Sequence, residues 1–107
     1  MTIFFTSTQP VQAWKPPADV YRAPWGWIVK FDLAGVRLQD VQAHIGPHGV
    51  AVTGVRRDYL LEEGCSQYSM EISYSRFERT IELPGDLSKA SFQLEYRDGL
   101  LIVRIRI

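Results

Sequence analysis

Residues Glu95–Ile107 read EYRDGLLIVRIRI, and the pattern of this stretch decides the fold class. Arg97-Asp98-Gly99 is a turn of the kind that joins hairpin strands. After it, Leu101, Val103, Ile105 and Ile107 fall on one face of an extended chain, and Leu100, Ile102, Arg104 and Arg106 on the other. Before it, in SFQLEY, Phe92, Leu94 and Tyr96 alternate with Gln93 and Glu95. A period of two on both sides of a tight turn predicts an antiparallel hairpin. The closing Ile105-Arg106-Ile107 keeps the register of Leu101 and Val103 without a break, so it reads as the end of a strand.

The same period governs the chain outward from this hairpin. In WGWIVKFDL, Trp27, Val29, Phe31 and Leu33 share a face opposite Ile28, Lys30 and Asp32. In DVQAHIG, Val41, Ala43 and Ile45 alternate with Gln42 and His44. The turn signal GPHG then leads into the valine-rich GVAVTGVRR, and RFERTIELP puts Phe77, Ile81 and Leu83 on one side. GDLSKASF has room for one helical turn at most. Six or more short strands with regular turn signals predict an all-β, immunoglobulin-like sandwich. Residues 1–17 form a short arm: an apolar MTIFF, a polar TSTQPVQ, and WKPP, whose prolines disfavour helix. Between Arg57 and Ser75 lies a connection long for a hairpin. Inside it QYSMEIS alternates again, with Tyr68, Met70 and Ile72 apolar. A strand there needs a sheet edge, and if its own sheets are complete that edge belongs to another subunit.

A chain of 107 residues fits one domain. Twelve basic residues balance twelve acidic ones, so nothing draws the chain as a whole to nucleic acid or to anionic membrane, and little charge repulsion opposes self-association. The single Cys65 rules out an internal disulfide. The first ten residues carry no basic residue and too short an apolar run for a secretory signal or a span, so the expected location is the cytoplasm. No nucleophile elbow, P-loop or dinucleotide turn is present, and no enzyme is expected. His44 and His48 offer two metal ligands at most, where zinc sites use three or four, so no metal and no cofactor is expected. Cys65 is either an incidental thiol or a redox switch; Glu62 and Glu63 beside it oppose the reactive thiolate. Arg104 and Arg106 alternate with apolar residues as a solvated strand face does. Arg79 falls in the apolar register of Phe77 and Ile81, as an arginine snorkelling at a sheet margin or as a charge paired across an interface.

Four segments together resemble the small heat-shock protein family, whose core is the alpha-crystallin domain, in its bacterial and plant type. They are PADVYR with a strand ending FDLAGV, then GVAVTGVRR, SRFERTIELPGDL, and EYRDGLLIVRI. Ala34 stands where the family usually has the proline of Leu-Pro-Gly. The resemblance implies an alpha-crystallin domain over residues 18–107, a β-sandwich of about seven to nine strands with a protruding loop that carries a strand. It implies a homodimer in which the loop strand, with Tyr68, Met70 and Ile72, joins the partner's edge at Asp19, Val20, Tyr21 and Arg22. Arg79 matches a family arginine, which favours interface or loop pairing, with Glu71 as a candidate partner. The implied activity is ATP-independent holding of unfolding client proteins. The family's groove would be lined here by Val41, Ala43, Ile45, Phe92, Leu94 and Tyr96, residues that equally suit the sandwich interior. Ile3, Phe4, Phe5 and Trp14 of the arm are a second candidate client surface, or a cover for a groove at rest. In the family an Ile-x-Ile hook sits on a tail beyond the last strand. Here IRI follows GLLIV with no spacer, and an extended residue spans only about 3.3–3.6 Å. No C-terminal extension is therefore expected, and the assembly is expected to be a dimer or small oligomer. The rival expectation is an adaptor of the same fold that binds a partner chaperone and holds no clients.

Overall fold

The computed structural model describes residues 13–59 and 61–107. They form seven strands: β1 (Ala18–Ala23), β2 (Gly26–Asp32), β3 (Val41–Gly46), β4 (Gly49–Val55), β5 (Arg76–Glu82), β6 (Ser91–Arg97) and β7 (Leu100–Arg106). A 3-10 turn, Leu38–Asp40, leads into β3. One antiparallel sheet has the order β1-β2-β7-β6 and the other β3-β4-β5. The two face each other as a β-sandwich.

The core is built from the inward rows that the period of two predicts. Val29 and Phe31 of β2 pair with Val103 and Leu101 of β7, beside Ile105 of the same strand. From the opposing sheet come Val50 and Val52 of β4 and Phe77 of β5, and Leu33 and Leu87 close the ends. Burying each such side chain stabilises the fold by about 1.5–3 kcal/mol. Ile102 departs from the expected pattern. It lies on the outer face yet is buried, flanked on the two neighbouring strands by Lys30 and Glu95, whose aliphatic stems suit such a position. Ile105 is fully buried and Arg106 closes β7, while Ile107 lies past the strand and is exposed.

Turns hold the strands in register. Asp98 and Gly99, with φ of 53° and 80°, form the two-residue loop between β6 and β7. After β2, the Val36 N–H donates to the Leu33 carbonyl at 3.1 Å and Gly35 has φ of 78°, the geometry of a type II turn with Ala34 at its second position. β1 begins at Ala18. On the arm side of that boundary Trp14 and Pro16 are nevertheless packed: the Trp14 N–H donates to the Arg76 carbonyl at 2.8 Å, and the Glu78 N–H donates to the Trp14 carbonyl at 3.1 Å. The arm thus fills part of the outer edge of β5 before crossing to β1. Residues 56–75 hold no strand among the described positions: QYSMEIS, which alternates as a strand would, pairs with none of the edges of its own chain.

Two substitutions test these constraints by thermal or urea unfolding. At Gly54 an added methyl group would meet the Asp40 carbonyl oxygen and lie 2.6 Å from a carbon of the Phe77 ring. Gly54→Ala is expected to destabilise the domain by about 1–3 kcal/mol. Ala34→Pro is expected to stabilise it by about 0.4–1 kcal/mol, since the turn suits proline there and the Ala34 N–H makes only a long, exposed bond of 3.4 Å to Asp32.

Candidate functional site

A sandwich of two open sheets has four edges, and the backbone groups along an edge are its chemistry. The arm covers part of the β5 edge. β1, β3 and β6 have no strand beyond them among the described residues.

On β1, Ala18, Val20 and Arg22 pair with the inward-facing Phe31, Val29 and Trp27, while Asp19 and Tyr21 pair with Lys30 and Ile28 on the outer face. Arg22 lies 5.2 Å over the Trp27 ring and Lys30 lies 4.9 Å over Tyr21. Val20 and Tyr21 remain exposed at 41% and 45%. The hydrogen bond with Tyr21 raises the pKa of Lys30.

The loop offers the complementary surface. Tyr68 is fully exposed, and Met70 and Ile72 are exposed at 48% and 59%. Its root is pinned: Arg57 Nε donates to Asp40 at 3.1 Å, and Arg37 lies 4.5 Å over the Tyr59 ring. The hydrogen bond from Arg57 to Asp40 also raises the guanidinium pKa. Arg79 does not meet Glu71 within the chain. It is half-buried, and its Nη1 donates to the Pro16 carbonyl at 3.0 Å.

β3 and β6 flank the side of the sandwich opposite the arm. Val41, Ala43 and Ile45 are half-buried against the core, whereas Phe92 and Leu94 are exposed at 52% and 50%. Tyr96 differs from its row. Its hydroxyl donates toward the Leu33 carbonyl at 2.7 Å and lies 3.0 Å from that of Val36, tying β6 to the turn after β2. Burial, the largest cause, raises its pKa. On the outer face, Arg104 Nη1 donates to Glu95 at 2.8 Å, which lowers the carboxylate's pKa, and Arg97 lies 3.5 Å from the other oxygen.

Trp14 is half-buried, its indole edge-on to Phe77 at 5.8 Å between ring centres. Ile3, Phe4 and Phe5 lie outside the described residues. His44, His48 and Cys65 are exposed, and no group of three metal-ligating side chains occurs among the described residues. No helix among them is long and apolar enough to cross a membrane. Sequence reasoning assigned no contact to Arg56, whose hydrogen-bond acceptors stand 17 and 22 residues away. The basic pair in GVRR was the one visible signal.

Residues 19–107 match the Hsp20/alpha crystallin family. The chain is 31% identical over 91 residues to the 17.7 kDa class II heat shock protein of Arabidopsis thaliana, covering 83% of this chain and 58% of that protein. It is 22% identical over 90 residues to small heat shock protein C2 of Rickettsia felis, covering 84% of this chain and 58% of that one. The chain thus spans less than two thirds of the length of these curated relatives. The solved structure of HSP18.5 from E. histolytica superposes with a TM-score of 0.75 at 26% identity, covering 88% of each chain.

The Glu95–Arg104 pair sets an acid dependence. A carboxylate whose pKa is lowered by folding adds stability that is whole above its unfolded value, about 4.3, and is lost as pH falls through the folded value. Glu95→Gln is expected to lower the melting temperature at pH 7, with the difference from wild type shrinking as the pH falls below the unfolded value of about 4.3. Scanning calorimetry across that range checks it.

Proposed function

Since the chain belongs to the Hsp20/alpha crystallin family, whose members are non-enzymatic chaperones, we propose that it is a holdase that binds unfolding proteins without ATP. The observation that carries this proposal is the apolar surface the sandwich leaves open at β6. Phe92 and Leu94 sit on the inward register of the sheet, yet about half of each faces solvent. A protein stable by its own core has no need of them there. Together with Val41, Ala43 and Ile45 of β3 they would make a groove for the apolar segments of a client. Binding only the unfolded form lowers its free concentration by mass action, with no nucleotide.

Proteins of this family form oligomers. For this chain the assembly we propose is a homodimer in which Tyr68, Met70 and Ile72 add as a strand to the partner's β1 edge, over Asp19–Arg22. Exposed apolar side chains at alternate positions 68, 70 and 72, and a β1 edge with no strand beyond it among the described residues, where Val20 and Tyr21 are exposed, support that pairing. Arg79 would steady the arm beside the joint through its bond to Pro16. Ile3, Phe4 and Phe5 would add a second client surface. A cytoplasmic location fits the single thiol. The alpha-crystallin domain would run from residue 18 to 107, with the assembly made through loop and edge.

Two measurements test the proposal. Clouding of a heat-labile protein should be suppressed without ATP. The double variant Phe92→Ser/Leu94→Ser should weaken apparent client binding about tenfold, roughly 1.4 kcal/mol, with the fold retained by circular dichroism. Absence of suppression by the wild-type chain would remove the holdase function and leave the adaptor role. Light scattering on a sizing column should give the mass of a dimer, and Tyr68→Asp/Met70→Asp should give a monomer. A wild-type monomer at all concentrations would remove the strand exchange.

A further inference from the structure

Arg56, at the end of β4, touches three separate parts of the chain. Its guanidinium lies 3.8 Å over the Trp14 ring. Its Nε donates to the Ser73 carbonyl at 2.8 Å, and its Nη1 donates to the Ala34 carbonyl at 3.2 Å. Its backbone N–H donates to the Ser75 carbonyl at 3.0 Å. Among the described residues, both hydrogen bonds that cross from loop residues 61–75 to β4 and its end come from Arg56. We propose that Arg56 couples the position of the arm to that of the 56–75 loop, so that displacing either one loosens the other.

The physical basis is the shape of the guanidinium. It is planar, its donors lie in the plane, and its faces are weakly hydrated. The Ser73 and Ala34 carbonyls fix the direction of the plane, and the Trp14 indole supports its face. When the indole leaves, that face is opened to water, the plane is free to turn, and the bond to Ser73 competes with solvent. When the Ser73 carbonyl leaves, the plane turns and the indole loses its cation. Coupling of this kind is reciprocal by thermodynamic necessity. Trp14 is otherwise held by its two backbone bonds to β5 and by Phe77. A cavity of about 670 Å³ beside Trp14, Arg56, Ser73 and Tyr74 leaves room for these groups to shift. Arg56 is thus a positioning residue whose role goes beyond client holding. Anything that draws Trp14 away also releases the segment carrying Tyr68, Met70 and Ile72. The coupling itself depends on neither the groove nor strand exchange.

Amide hydrogen exchange by NMR on the full chain tests this, with a nitroxide on Cys65, the chain's only cysteine, reporting the loop. The Glu78 amide, bonded to the Trp14 carbonyl, reports the arm, and the Arg56 amide, bonded to the Ser75 carbonyl, reports the loop root. Trp14→Leu should speed exchange at position 56 about tenfold and sharpen the nitroxide spectrum. Arg56→Lys, which keeps the charge and loses the planar fork, should speed exchange at Glu78 by a similar factor. Val52 and Val103, in the middle of the two sheets, should keep wild-type rates in both variants. The proposal is overturned if Trp14→Leu speeds Glu78 alone and leaves the nitroxide unchanged. It is equally overturned if all amides, Val103 included, speed up together, because that is general destabilisation. Should Arg56→Lys fail to fold, Trp14→Leu decides alone.

Discussion

Strand β7 is the element on which the rest of the structure depends. Its inward row, Leu101, Val103 and Ile105, is buried completely, and it alone pairs with both β2 and β6. Withdrawing water from that row supplies a large part of the drive to fold. Its register then dictates the others. Val103 stands opposite Val29 on one side and Leu94 on the other, so a slip of one residue would turn all three inward rows to solvent. The Asp98-Gly99 turn makes that register local, because its left-handed backbone admits two residues and no more.

The same register produces the open surface. Phe92 and Leu94 point the same way as the core residues they pair with, but β6 is the last strand of its sheet. An inward-facing side chain on an edge strand is covered only as far as the opposite sheet extends. That sheet has three strands against four, and the arm fills in on the β5 side. The mismatch leaves β6 half-covered. Exposure of apolar surface is therefore a consequence of strand count and order, reached with no unpaired buried side-chain polar atom among the described residues. The surface is available for binding while the core beneath it stays closed.

Charged groups in this neutral chain act locally. Arg57 anchors the loop root to Asp40, Arg79 holds the arm through Pro16, Arg104 spans the outer face to Glu95, and Arg56 joins arm, loop and turn. Arginine suits each place because its plane can stack and donate at once. Each of these contacts lies at a margin of the sandwich, and none of them covers Phe92 or Leu94 at the β6 edge.

The sequence by itself determined strands β2 to β7, the inward rows of β2, β5 and β7, the RDG hairpin, the sandwich class and the family. All of these rest on neighbours two residues apart or on short ordered motifs, where the alternation of side chains is set by the backbone pleat. IRI was legible as strand for the same reason: Ile105 is in the core and β7 runs to Arg106, while Ile107, read in the same register, lies past the strand and is exposed. Only the tertiary structure decided which apolar residues are covered. Phe92, Leu94 and Tyr96 share one row, yet Tyr96 is tied to Leu33 and Val36 while the other two face water. Trp14 reads as part of an arm that offers a client surface or covers a groove, and the fold packs it on Phe77. Arg79 faces inward as its register predicts, but its acceptor is a backbone carbonyl 63 residues away. Exposure and pairing of this sort are set by which strand lies at an edge and what crosses over it. They depend on contacts distant along the chain, and a period of two carries no information about those.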